Sequence, residues 1–333
     1  MNIINVTDEK YKDVWDSFLI ASGRSSYLQS WQWGSVMQKS GKEVFRIATV
    51  DNDENGNARL RAIMTVWIKK ISLGKEIIVI PQGPILDFMN QDAYSIIVAM
   101  FDRLEEIAKE RKTIFLRVSA PILSSEVTYL GSYFASLKGN VKATKKHLIG
   151  EKFYKLNIKS DQNVVSEKFN FNLKNAQDRF EIASTNDHGE IKFLLNSIGG
   201  KGNKDQNNFW PLVAENMNQT PAVIPLQQKE TKIILPLKLF YATRKGTCVA
   251  GVIVIYFGSS ARVVYEITQT TKDVAALYLI HHRAIQDARE NNLSQYVVEN
   301  DKSIIATQFG GAEETMSDTC DVIYKKFWYK LLG

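Results

Sequence analysis

The chain has 333 residues, 44% hydrophobic and 23% charged, which excludes a disordered protein and supplies length for two domains, each with its own core. Its 42 Lys and Arg against 36 Asp and Glu leave a net charge of +6, a mild excess that admits a polyanionic partner without specifying one. No apolar run reaches the ~18 residues of a membrane span, the opening MNIINVTDEKYKDVW lacks a secretion-signal pattern, and Cys248 and Cys320 are too few for a disulfide framework and have no metal-ligand spacing. A cytoplasmic protein with two buried thiols is expected.

Tyr11, Val14, Trp15 and Phe18 recur at helical spacing behind Thr7, which predicts an amphipathic helix over 8–19 capped by that threonine. The β-rich runs 43–50 and 59–68 flank DNDENGNA, a strong turn signal, and read as a hairpin. A third strand over 76–80 ends at Pro81-Gln82-Gly83-Pro84; a long helix over 91–112 and a strand over 113–118 follow. Lys138, Lys142, Lys145 and Lys146 then cluster in a segment without periodicity, 138–150. That segment reads as a linker between halves, its lysines either a solvated face or a phosphate-binding one. Residues 151–238 look less regular, with a polar loop at 199–206 carrying Lys201 and Lys204. The second half repeats the first: strands over 239–243, 247–257 and 261–267, a helix over 274–291 and a strand over 295–299.

Strand, strand, strand, helix, strand, twice over, is the core order of the acetyltransferase-like (GNAT) fold. The expectation is an α/β protein of two GNAT-like domains in tandem, mixed sheets flanked by helices. Enzymes of that fold usually hold a coenzyme pyrophosphate on backbone amides of a glycine-containing loop that opens the long helix. The segment before the second long helix, TQTTKDV, has no glycine, which argues against acetyl-CoA, and no cofactor is expected.

Several stretches add a resemblance. Ser30-Trp31-Gln32-Trp33-Gly34 followed by Ser40-Gly41-Lys42, the turn Ile80-Pro81-Gln82-Gly83-Pro84-Ile85, Phe309-Gly310-Gly311, and the final Asp321–Lys330 stand in the order found in the Fem family of aminoacyl-tRNA-dependent peptidoglycan transferases. The chain resembles that family over most of its length, most weakly over 120–238 and without the coiled-coil arm of some members. The resemblance implies residues 1–145 as the first domain, with 316–333 returning to it through a strand near 322–328, and residues 146–315 as the second.

It also implies a reaction: an amino acid moves from aminoacyl-tRNA to the peptide amine of a peptidoglycan precursor, either a UDP-linked muramyl pentapeptide or lipid II. Peripheral association with the inner membrane face is a further implication. The site must place an amine on an ester carbonyl, stabilise an oxyanion and hold a diphosphate. On this reading Lys39, Gln82, Tyr265 and Phe309 line a cleft between the halves, and Lys201 and Lys204 stand at its mouth. Tyr265 reads equally as core packing beside Val263, and the lysines equally as solvated ones.

The sequence departs from the family pattern at several places. Ala306 stands where a lysine is common, Ser119-Ala120-Pro121 where an acidic residue precedes a proline, Met37 near the expected phosphate-binding lysine, and Phe209-Trp210 in place of an arginine–tyrosine pair. Lys302, four residues before Ala306, is the candidate replacement cation. Two alternatives stay open: an N-acyltransferase using another acyl carrier, and a catalytically degenerate precursor-binding protein. His281 and His282 point in different directions on one helix, so one is expected packed and the other exposed.

Overall fold

The β-branched runs form strands within two residues of their predicted bounds: Glu43–Asn52, Ala58–Lys70, Glu76–Ile80 and Thr113–Val118, then Leu237–Arg244, Thr247–Phe257, Ser260–Thr268 and Gln295–Val298. The two long helices run over Ala93–Glu110 and Val274–Glu290. These elements come from a computed structural model that describes residues 1–23, 26–52, 55–56, 58–121, 123–124, 140–144, 146, 148, 152–159, 165–199, 204–218, 222–226, 229–233, 237–299, 303, 305–308 and 310–332. The chain divides into two units, residues 1–151 with 315–333, and residues 152–314.

In the first unit the sheet runs Asn2–Asn5, Glu43–Asn52, Ala58–Lys70, Glu76–Ile80, Thr113–Val118, Thr319–Ile323, Asn140–Thr144. Every neighbouring pair is antiparallel except Glu76–Ile80 with Thr113–Val118. A parallel pair needs a crossover, and the helix Ala93–Glu110 supplies it, burying Ile97, Met100, Phe101, Leu104 and Ala108 on the sheet.

The second unit runs Glu181–Thr185, Leu237–Arg244, Thr247–Phe257, Ser260–Thr268, Gln295–Val298, Lys152–Asn157, Ala312–Thr315. Its parallel pair, Ser260–Thr268 with Gln295–Val298, falls at the same step and is crossed by the helix Val274–Glu290. Equivalent strand order with an equivalent crossover makes the two units copies of one topology, a tandem GNAT-like fold.

Several expectations are corrected. The first helix begins as a 3-10 turn at Glu9–Tyr11, where Asp8, not Thr7, accepts the Lys10 N–H at 3.0 Å. The α-helix that follows, Lys12–Ala21, buries Trp15, Asp16 and Leu19 and leaves Tyr11 and Val14 exposed. A buried bond sets that rotation: the Trp15 indole N–H donates to the Gln29 carbonyl at 2.8 Å. Part of the supposed linker, Asn140–Thr144, is an edge strand on Thr319–Ile323. The return strand lies at Thr319–Ile323, and Lys326–Leu332 is helical rather than extended.

The stretch thought irregular holds the helices Glu167–Ala176, His188–Gly199 and Lys204–Met217, so the polar loop ends at Lys204. In His188–Gly199 the buried residues Ile191, Leu194, Leu195 and Ile198 recur three and four apart, the spacing of one helix face.

The Ser-Trp-Gln-Trp-Gly signature is architectural. Ser30 caps the helix Trp31–Lys39, its hydroxyl accepting the Trp33 N–H at 3.1 Å. The Arg46 guanidinium lies 4.1 Å from the Trp31 ring and donates to the Trp31 carbonyl at 2.8 Å. Gly34 is what makes room, because a Cβ there would stand 2.8 Å from Arg46 Nη2. Burial lowers the Arg46 pKa to about 10, so the guanidinium stays charged.

Beneath this motif Asp16 accepts the Trp31 N–H at 2.8 Å. Burial pushes its carboxyl up from 3.8 to about 7, only partly opposed by that hydrogen bond. A carboxyl with a raised folded pKa binds its proton more tightly when folded, so its stabilising contribution is present at low pH and lost as pH climbs from about 4 to about 7. Asp16→Asn keeps an acceptor and never ionises. It is expected to match the wild type at pH 4 and to exceed it by about 4 kcal/mol at pH 8, read from urea midpoints. An equal difference at both pH values would overturn the assignment.

Candidate functional site

In the second unit the parallel pair is short. Ser260–Thr268 pairs with Gln295–Val298 only through residues 260–263, and the Glu299 N–H still donates to the Val263 carbonyl at 3.1 Å. Beyond that point a bulge falls in the same strand. Tyr265 pairs with Ile253 and Val263 with Val254, leaving Val264 without a partner. A bulge changes the alternation of faces, so Tyr265 is not Val263's same-face neighbour. Val263 is fully buried, while Tyr265 is half-buried, its ring 6.0 Å from that of Trp210, and burial raises its hydroxyl pKa.

Next to Tyr265, Glu266 organises a buried polar chain. Its Oε1 accepts the Ser303 hydroxyl at 2.9 Å and lies 3.1 Å from His281 Nε2; His281 Nδ1 is 2.8 Å from the Tyr296 hydroxyl. Ser303 Oγ also accepts the Ala306 N–H at 3.2 Å. A strand, the long helix and the segment after Val298 are thus tied at one point. Buried hydrogen bonds such as Ser303 to Glu266 and His281 with Tyr296 help to fix that geometry. His281 is fully buried and His282 half-buried. No periodicity in the sequence signalled Glu266 or Ser303, since their partners lie 15 to 37 positions away.

The following 3-10 turn, Ala306–Gln308, is held from the other side. The Gln308 side-chain oxygen accepts the Tyr278 hydroxyl at 2.7 Å and the Asn172 amide at 3.1 Å, and Ser166 Oγ donates to the Gln308 carbonyl. Gly310 takes φ 77°, a backbone region that glycine enters without strain. Gly311 serves a different need, since a Cβ there would lie 2.7 Å from the Lys155 carbonyl oxygen. Backbone cannot give way as a side chain can, so Gly311→Ala is expected to destabilise the second unit by about 1–3 kcal/mol in chemical denaturation. A change below ~0.5 kcal/mol would mean that the close approach is not maintained in solution.

Ala306 itself is 1% exposed and belongs to the hydrophobic core of the second unit. Met37, the other position where a family lysine was expected, is buried in the first. Lys39 ends the helix Trp31–Lys39 and is exposed. Gln82 is 8% exposed and holds φ 49°, an unfavourable backbone region for a side chain of its size. The turn around it is anchored by the Gly83 N–H donating to the Ser119 carbonyl at 3.1 Å, with Gln29 Nε2 donating to the Pro81 carbonyl at 2.6 Å. Lys201, Lys302 and Phe309 lie outside the described residues, as does the side chain of Lys204, the first residue of its helix. Among the described residues no group of three or more His, Cys, Asp or Glu side chains converges as metal ligands would.

The topology defines a tandem GNAT-like fold. The chain is similar over its whole length to a crystal structure of FemX, at 14% identity, 99% of each chain covered and a TM-score of 0.74. It is also similar to a tandem GNAT protein from the clavulanic acid biosynthesis pathway (8% identity, 97% and 98% covered, TM-score 0.60). A third likeness is to a conserved protein of unknown function from Bacteroides thetaiotaomicron VPI-5482 (13%, 97% and 99%, TM-score 0.59). No curated protein sequence matches. The FemAB family model matches residues 11–188; the chain belongs to the FemAB family, whose members are peptidoglycan interpeptide-bridge aminoacyltransferases.

Proposed function

We propose that this protein moves an amino acid from aminoacyl-tRNA to the peptide amine of a peptidoglycan precursor, a UDP-linked muramyl pentapeptide or lipid II. Membership of the FemAB family carries the reading. The amine nitrogen attacks the ester carbonyl and forms the C–N bond; the ester C–O bond then breaks, and the departing ribose oxygen takes up the proton that the amine loses. Negative charge develops on the carbonyl oxygen between these events and needs a donor.

With Ala306 in the core, Lys302 takes that role, next in sequence to Ser303 and its Glu266–His281 anchorage. Lys39, Lys201 and Lys204 hold precursor or tRNA phosphates, and Gln82, Tyr265 and Phe309 contact substrate. The test is to incubate purified protein with a mixture of charged tRNAs and each precursor and to follow precursor mass. A gain of one aminoacyl residue is expected; transfer from an acyl-CoA instead would replace the reading with an N-acyltransferase. The burial of Ala306 favours one second reading, a precursor-binding protein that has lost turnover. Tight precursor binding without transfer from any charged tRNA would establish it.

A further inference from the structure

The helix Lys326–Leu332 has two unlike sides. Trp328, Tyr329 and Leu332 pack inward on Ile77, Val79, Ile114 and Phe115. Outward, Phe327 is 72% and Leu331 60% exposed, one turn apart, with the exposed Lys326 and Lys330 beside them. Lys75 Nζ lies 4.1 Å from the Trp328 ring, which brings the turn Ser72–Gly74 alongside; there Leu73 is 68% exposed and follows the exposed pair Lys69 and Lys70. On the other flank an open groove of ≈ 660 Å³ is lined by Lys142, Lys146, Lys326, Tyr329 and Lys330, and among the described residues no Asp or Glu lines it. The carboxylates at the near end of the sheet, Glu43 and Glu76, are both paired with Arg111.

We infer that this surface docks on an anionic lipid bilayer, with Phe327, Leu331 and Leu73 entering the interfacial layer and the surrounding lysines meeting lipid phosphates. The pairing of features selects this occupant. A nucleic-acid backbone would use the lysines but leave three large apolar side chains in water, whereas a charged membrane surface satisfies both. No helix among the described residues is long and apolar enough to cross a bilayer, so the contact lies on the membrane surface. The inference is independent of the transfer reaction, and neither result below bears on it.

Co-sedimentation of the full chain with vesicles tests it. Vesicles containing roughly a third phosphatidylglycerol are expected to bind about tenfold or more better than phosphatidylcholine alone, with binding that weakens as salt rises. Phe327→Ser with Leu331→Ser should weaken it about tenfold, and Lys326→Gln or Lys330→Gln about fivefold each. Because all four side chains are exposed, unchanged thermal melting shows that these variants fold. Equal binding to both vesicle types, or none to either, overturns the inference. So does full vesicle binding by the Phe327→Ser, Leu331→Ser variant, or lysine-dependent binding to RNA in its place.

Discussion

Asp321→Ala is expected to destabilise the first unit by about 3–5 kcal/mol. Asp321 sits fully buried on the return strand Thr319–Ile323, and both its oxygens accept from Arg117 Nε and Nη2, each at 2.8 Å. The Tyr329 hydroxyl donates to the same carboxylate at 2.9 Å, and burial with this acidic neighbour pushes that phenol up to about 12. Removing the carboxylate leaves a guanidinium buried without its counter-charge, and that desolvated cation is the main cost. A partner of similar size without charge removes the penalty. Arg117→Met with Asp321→Leu is therefore expected to recover most of the loss, as replacing whole buried pairs often does. Urea denaturation of the three variants decides it. A loss below ~1 kcal/mol for Asp321→Ala would show that water reaches the pair.

Lys302→Ala is expected to lower transfer by about 10²–10³, with precursor affinity unchanged. The asymmetry follows from when the charge appears: the precursor carries no oxyanion when it binds, so a donor to the oxyanion acts on the rate of the chemical step alone. Single-turnover transfer and precursor binding, measured side by side, separate the roles. Parallel losses in both would make Lys302 a phosphate ligand, and no loss in either would remove it from the site. Lys39→Ala serves as the contrasting variant, its expected effect falling on binding.

Much of the fold was legible because local chemistry dictates it. Continuous runs rich in Val, Ile and Phe define the strands 76–80, 113–118 and 247–257 to the residue, and Leu277, Ile280, Ala284 and Ala288 all face the core of the second unit. The duplicated order of elements was visible without any repeat of letters, since topology depends on pattern and spacing rather than on identity.

Other features were decided by residues far apart in the chain. Which face of the first helix turns inward depends on a bond from Trp15 to Gln29. The edge strand Asn140–Thr144 exists because Thr319–Ile323 pairs with it. With only Val141 and Thr144 to suggest extension and Gly139 before it, it carries no clear strand signal of its own. Tyr265 was placed by alternation, and the bulge at Val264 broke that alternation.

The sequence by itself determined the central strands of both sheets, the long helices, the tandem arrangement and the family, because each rests on periodicity or on contiguous motifs. Only the tertiary structure decided that Ala306 is a core residue and that Glu266, His281 and Ser303 meet in one buried polar cluster. It alone also placed lysines from residues 75, 142 and 326 around one exposed apolar helix face. Burial and long-range hydrogen bonding are properties of the packed chain: a polar or small residue takes its role from whatever the fold brings beside it, and no local pattern encodes that neighbour.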